Sequence, residues 1–456
     1  MKHDAGDAGD AMPVSRAAAS LIFHEPKNFD STANQLNRIY SSYHGRVVSL
    51  TKPGNLHFGF WTRPISTTPV RQPWTPGGHM SQSVTSKLSY SNGKWLACGT
   101  LALLSAVSPL IPGPALAQGG CYGEIKTFAT VPAAPGFPEG IAVHGNRVYV
   151  SGPATFGTAG QGPSTIEVFD RDSKVHKATI KVAGETLADE HALSCIAVDE
   201  DGRVYALSTQ LGLLRFRKTG HGYVQESYGA PLPVLPPCVM AAPGEVCSPK
   251  PFPMPPLPND IAFDEEGYAY VTDSLQATIF RYPPGGGAPE IWFQSAALVG
   301  SGDVPIGVNG IRLDPAREHV YFSVSFSPSD PSLGSIYRLP LVEAPEEADL
   351  ELVHDYDAGE APDGFAFGKS GKLYVTLAAA NAISVLDEHG VEESRIESAP
   401  GEEIPLDAPA NVAFNDPAQM LLIVNHASFT RNPAHFGVLR VWVGDKADPL
   451  EKPSLP

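Results

Sequence analysis

One phrase recurs through this chain six times, and few folds can accommodate it. In Pro258–Asp273 it reads PNDIAFDEEGYAYVTD: an apolar triplet, a turn rich in Asp, Glu and Gly, then a second apolar, β-prone run. The other copies are EGIAVHGNRVYVSG, SCIAVDEDGRVYALST, NGIRLDPAREHVYFSVS, DGFAFGKSGKLYVTLA and ANVAFNDPAQMLLIVNHA. They begin at Glu139, Ser194, Asn259, Asn309, Asp363 and Ala410, with steps of 55, 65, 50, 54 and 47 residues. Two strands per copy at this period predict an all-β fold, a six-bladed β-propeller. TIEVFD, GLLRF, TIFRY, SIYRLP and AISVLD follow their phrases at similar distances and are expected third strands. Glu124–Val131 precedes the first copy and is expected to close the ring against Val438–Val443, which removes exposed strand edges. The longest step contains a Pro-rich insert, Pro231–Pro258, expected as an ordered surface loop. Residues 118–456 then form one domain.

The N-terminal quarter lacks the repeat. Residues 1–79 are polar and irregular and are expected to be a disordered extension or a mis-set gene start. Residues 80–117 read as a secretory signal. Lys87 and Lys94 precede apolar Leu96–Val107, prolines follow, and Ala115-Leu116-Ala117 suits cleavage before Gln118. The apolar run is too short and Pro-interrupted for a good membrane span. A secreted, extracellular protein is expected, with no membrane span in the mature chain, and a monomer.

Charge supports this division. Of 32 basic and 49 acidic residues, 10 and 5 fall before Gln118, leaving the remainder at a formal −22. Such a body excludes nucleic acid or an anionic membrane surface as partners bound through a global field. In an exported chain the four cysteines after Cys98 suggest disulfides. Cys238 and Cys247 flank a short loop and are expected to close it. Cys121 and Cys195 are left as a second bridge or as buried thiols.

Alignment of the copies on their triplets puts Glu139, Ser194, Asn259, Asn309, Asp363 and Ala410 in one column. First strands line a propeller's channel, so the column forms a ring at one mouth. Glu139, Asn259, Asn309 and Asp363 offer two carboxylates and two amide oxygens, a set suited to one divalent cation. All-oxygen ligation favours calcium or magnesium over softer metals. Without a cation, Glu139 and Asp363 would be like charges withdrawn from water. His426 ends a strand that runs back toward this mouth and is a second catalytic candidate; Asp273 holds a comparable place in blade three. His144 and His191 are expected to be solvated.

The motifs PEGIAV, PNDIAFD, VNGIRLD and PDGFAF resemble those of the SMP-30/gluconolactonase/LRE-like propellers, over essentially all of 118–456. The same Glu/Asn/Asn/Asp set recurs in the diisopropyl-fluorophosphatases and, more distantly, the paraoxonases. The resemblance implies that Glu139, Asn309 and Asp363 bind a metal and that Asn259 contacts metal or substrate. Calcium is the first choice, with magnesium, manganese or zinc as alternatives. It implies metal-dependent hydrolysis of lactones or related esters, with Asp363 as candidate general base and Asn259 and His426 as further catalytic candidates. Sugar-lactonase members carry Arg two residues before the Asn matching Asn259; this chain has Leu257, so a less polar lactone or ester fits better. The rival reading is a non-catalytic, calcium-stabilised propeller that acts as a binding or scaffold protein. A strictosidine-synthase-like enzyme fits the column poorly, and the absence of G-x-S-x-G weighs against a serine hydrolase.

Overall fold

A computed structural model describes residues 121–301, 304–328, 333–450 and 452–456. The expected signal and N-terminal extension lie outside the described residues. The chain enters through β1 (Ile125–Thr130) and then winds four-stranded antiparallel sheets. Blade one is β2 (Ile141–His144), β3 (Arg147–Gly152), β4 (Thr165–Asp170) and β5 (His176–Lys181). Blade two is β6 (Leu193–Val198), β7 (Val204–Ser208), β8 (Gly212–Thr219) and β9 (Gly222–Gly229). Blade three is β10 (Pro258–Phe263), β11 (Ala269–Asp273), β12 (Thr278–Tyr282) and β13 (Glu290–Gln294). Blade four is β14 (Val308–Leu313), β15 (His319–Val324), β16 (Gly334–Pro340) and β17 (Glu351–Tyr356). Blade five is β18 (Pro362–Phe367), β19 (Leu373–Leu377), β20 (Ala382–Leu386) and β21 (Glu392–Glu397). Blade six takes β22 (Pro409–Asn415), β23 (Met420–Asn425) and β24 (Gly437–Trp442), and its fourth strand is β1, paired antiparallel to β24. The ring is therefore six-bladed and closed as the sequence predicts. Among the described residues no helix is long and apolar enough to cross a membrane.

The repeated phrase has a local cause. In blade two, Asp199 Oδ1 accepts the Arg203 N–H and Asp199 Oδ2 accepts the Tyr205 hydroxyl at 2.9 Å. In blade three, Asp264 does the same for the Tyr268 N–H and the Tyr270 hydroxyl. One Asp thus fixes both the turn and the tyrosine two residues into the next strand. Gly267 completes the turn at φ 93°, a conformation that a side chain would strain. The aromatic rings then pack between blades. Tyr205 meets Phe263 of the next blade edge to face, with centroids 5.2 Å apart. The core consists of such interblade layers, for example Leu207 and Leu213 of blade two against Ile261, Phe280 and Tyr282 of blade three. Burial of each large side chain contributes roughly 1.5–3 kcal/mol.

The Pro231–Pro258 insert is ordered, as expected. Cys238 and Cys247 form a disulfide. Leu232 and Leu235 pack into the blade two–three core. Gln276 accepts the Leu235 N–H at 2.7 Å and the Lys250 ammonium at 3.0 Å, and donates to the Pro233 carbonyl. The second bridge does not form between Cys121 and Cys195. Cys195 is a free, fully buried thiol on channel-lining β6, whereas Cys121 sits in a turn beside the rim strand β1 of blade six. Pairing by elimination takes no account of where the ring places each strand.

Candidate metal centre

The donor column sits where the first strands break register. Ladder pairing skips between Leu193 and Ile196, Pro258 and Ile261, Val308 and Ile311, Pro362 and Phe365, and Pro409 and Asn411. Each bulge leaves residues out of the ladder at one mouth of the channel. The bulged carbonyls are held by hydroxyls of the preceding blade. Ser151 donates to the Ser194 carbonyl, Thr272 to Asn309, Ser323 to Asp363 at 2.8 Å, and Thr376 to Ala410 at 3.0 Å. These four hydroxyls occupy one position, two residues after Tyr149, Tyr270, Tyr321 and Tyr374 of their phrases. Neighbouring blades thereby set the pitch of the donor ring.

Glu139 and Asn309 are buried, while Asn259 and Asp363 are partly open to the mouth. Asn309 spends its Nδ2 on the Ser325 hydroxyl at 2.9 Å. Its Oδ1 is buried and accepts from no group of the protein. Such an orphaned oxygen is costly unless a ligand completes it. Burial, followed by the charges of Asp363 and Asp260, pushes the Glu139 carboxyl well above the usual carboxylate range. Burial and Asp260 likewise raise Asp363, against the opposing bonds of the Gly364 N–H and Asn309. Among the described residues no three His, Cys, Asp or Glu side chains form a metal cluster by themselves. The candidate set is two carboxylates and amide oxygens, and it fits a hard divalent cation on two grounds: the orphaned Asn309 Oδ1 and the local excess of negative charge.

His426 reaches the same place. Its Nε2 lies 3.6 Å from Glu139 Oε2 and 2.8 Å from the Ala154 carbonyl, so Nε2 carries the proton. Burial pulls the imidazole down to about 4, and Arg431 adds to the effect. Asp273, in contrast, is consumed by structure: it accepts the N–H groups of Leu257, Leu275 and Gln276 and the Gln276 amide, and anchors the insert. His191 is buried and not solvated: its ring bridges the carbonyls of Asp189 and Gly162, and its N–H bonds Thr158, so it ties down the blade-one loop. His144 is half-buried.

A layer directly beneath the donors is absent from the sequence reading. The next column is Gly140, Cys195, Asp260, Gly310, Gly364 and Asn411. A Cβ on Gly364 would stand 2.4 Å from Asn411 Cγ, so glycine is what lets the strands converge. Asp260 Oδ2 accepts Arg312 Nη1 at 2.6 Å and the Ile311 N–H at 3.1 Å. Arg312 Nη2 donates to Asn411 Oδ1 at 3.2 Å, and Asn411 Nδ2 to Cys195 Sγ at 3.4 Å. All four side chains are buried. Arg312 thus pairs with Asp260, and Glu139 and Asp363 above are left as two carboxylates without a cationic partner of this kind. The signal was available: Arg312 interrupts a column that otherwise reads Ala142, Ala197, Ala262, Ala366 and Ala413.

Below this floor the alanine column opens a chamber of about 380 Å³ at the opposite face, partly covered by Ala447–Leu450 and Lys452. A second cavity of about 450 Å³ lies among the turns of blades three and four on that face. Neither lies at the donor mouth.

No family model matches the chain and no curated protein is significantly similar to it. Solved structures do resemble it. A calcium-binding protein, regucalcin, from Agrobacterium tumefaciens str. C58 is 17% identical, with 72% of this chain and 98% of that one covered and a TM-score of 0.47. A gluconolactonase from Xanthomonas campestris is 17% identical, with 71% and 90% covered and a TM-score of 0.45. A luciferin-regenerating enzyme is 14% identical, with 73% and 99% covered and a TM-score of 0.46. The fold rests on the six closed blades themselves. The solved structures it resembles include regucalcin, gluconolactonase and luciferin-regenerating enzyme, proteins of the group that the blade motifs also resemble.

Proposed function

We propose that the protein is a divalent-cation-dependent hydrolase of small lactones or related esters. The observation that carries this reading is the orphaned, buried Asn309 Oδ1 in a ring that also holds Glu139 and Asp363. Glu139, Asn309 and Asp363 would hold the cation, calcium in first place, with Asn259 beside them. When bound, the cation supplies Lewis-acid polarisation of the substrate carbonyl.

The remaining work falls to the chain. Asp363 is the general base of this proposal: it is partly open to the mouth, so its carboxylate can take a proton from water there. Asn259, also open to the mouth, would orient substrate through its amide. His426 is neutral near pH 7 and too weakly basic at about 4 to act as base; its Nε2–H donates to the Ala154 carbonyl at 2.8 Å, which fixes the ring beside Glu139. Leu257, partly exposed two residues before Asn259, would favour an apolar substrate flank. We also infer that the protein works outside the cell, which the Cys238–Cys247 bridge supports.

The test is a panel of aliphatic lactones, aryl esters, sugar lactones and phosphotriesters with calcium, magnesium, manganese or zinc. Asp363→Asn keeps an amide oxygen for ligation but loses the base, so turnover should fall at least ~100-fold with the fold retained. Equal activity in the variant would overturn the mechanism. A firmly bound calcium with no turnover on any substrate would establish the scaffold reading.

A further inference from the structure

The Pro-rich insert between β9 and β10 carries an apolar surface that neither the fold nor the donor ring uses. Among the described residues, thirteen large apolar side chains are exposed, and five of them lie here: Val234, Val239, Met240, Val246 and Phe252. Val239 and Met240 are 81% and 65% exposed. From Cys238 to Val246 every residue but Ala241 is exposed, so the disulfide-closed turn projects from the body.

Three observations identify what this projection meets. The first is its charge. Between Val234 and Pro253 only Glu245 and Lys250 are charged, and Lys250 is buried, in a chain of formal charge −17. An anionic surface would be repelled by the body and offered no cation by the tip.

The second is its backbone. Pro231–Pro258 contains eleven prolines, which lack N–H groups. From Cys238 to Ser248, the N–H groups of Cys238, Met240, Ala241, Ala242, Glu245 and Ser248 are bonded within the insert. A loop ordinarily cannot enter an apolar phase because its donors go unsatisfied. This one has few donors, and most are already satisfied.

The third is its size. A stable protein–protein interface takes roughly 20–30 residues a side. The nine-residue tip falls well short of that for a second copy of the chain. The insert is also rigid before contact, through its bridge, its prolines and the Lys250–Gln276–Asp273 anchor, so docking orders little more.

We infer that the insert is a shallow docking tip for an electrically neutral lipid surface, with Val239, Met240 and Val246 entering the interface. The insert joins β9 to the start of β10, where Asn259 stands, so docking would present the donor mouth to the same surface. The inference stands whether or not the ring is catalytic.

Flotation of the full chain with phosphatidylcholine vesicles tests it, beside the double variant Val239→Asp/Met240→Asp. Both substitutions fall on exposed positions, so the thermal midpoint should not change. The wild type should float with neutral vesicles, insensitively to added salt, and the variant should bind at least tenfold less. Failure of the wild type to float would overturn the inference. So would equal binding by the variant, preference for anionic vesicles, or a dimer in sedimentation that only the variant abolishes.

Discussion

Arg312 and Asp260 are the two residues on which the donor ring rests. Both are buried, joined at 2.6 Å, and separated in sequence by 52 residues. Their pairing keeps a permanent cation beneath the ring while leaving Glu139 and Asp363 uncompensated. Removal of one partner strands the other, which typically costs roughly 3–5 kcal/mol, whereas replacing both with apolar side chains is often close to neutral. Asp260→Asn should therefore lower the unfolding midpoint sharply, and Asp260→Asn combined with Arg312→Met should recover much of it. Equal melting of the single variant and the wild type would show that the pair is not structural. This layer was the least legible part of the site. Glu139, Asn259, Asn309 and Asp363 could be read because they occupy one repeated register, and His426 because a strand ends there. Asp260, Arg312 and Asn411 belong to three blades and meet only when the ring closes, so periodicity along the chain does not bring them together.

At the level of elements, the insert shows how one buried carboxylate can hold a long loop. Asp273 at the end of β11 receives three backbone N–H groups and the Gln276 amide, and burial still lifts its carboxyl to about 6. In the unfolded chain an Asp titrates near ~3.9. The folded state therefore binds the Asp273 proton more tightly between pH ~4 and ~6, and the contribution of this group to stability falls as pH rises through that window. A two-unit shift corresponds to about 2–3 kcal/mol. Asp273→Asn should remove that slope, so the difference in stability between wild type and variant should change with pH between ~4 and ~6 and level off above. Denaturant melts across that range measure it; a pH-independent difference would refute it. The amide also meets the Gln276 amide donor to donor, so the variant insert should be cut faster by protease. The turns and second strands of the blades were legible because Asp199, Asp264 and their tyrosines satisfy one another locally. The pairing of Cys238 with Cys247 was legible for the same reason, since they stand nine positions apart. The sequence leaves Cys195 open between a bridge and a buried thiol, because its place on the channel wall, which decides for the thiol, is a property of the ring.

For the whole molecule, closure is the organising requirement, and the two ends of the chain meet it differently. β1 completes blade six, and that closure was legible from strand content at the two termini. The cation proposed for the ring would join blade one, through Glu139, to blades four and five, through Asn309 and Asp363. If so, chelation should lower the midpoint by an amount that grows with the calcium previously present, a few kcal/mol at saturation. The C-terminal tail performs the corresponding task at the far face. Asp448 pairs with Arg317 of blade four at 2.7 Å, and its N–H bonds the Phe367 carbonyl of blade five. Lys452 reaches the Val143 carbonyl of blade one, and the Leu455 carbonyl accepts Arg203 of blade two. The Leu455 side chain is buried in the blade two–three core. Four ties to four blades and one buried leucine predict that deletion of residues 446–456 costs about 2–4 kcal/mol, chiefly from Leu455 and the part-buried ion pair. The same deletion uncovers the alanine-lined chamber and leaves the Asp260–Arg312 floor in place between that chamber and the donor ring. The truncated protein should therefore melt several degrees lower and yet bind calcium with unchanged affinity. A fall in calcium affinity equal to that of Asp363→Asn would mean that the floor does not insulate the ring, and that the tail holds the donors in register from below.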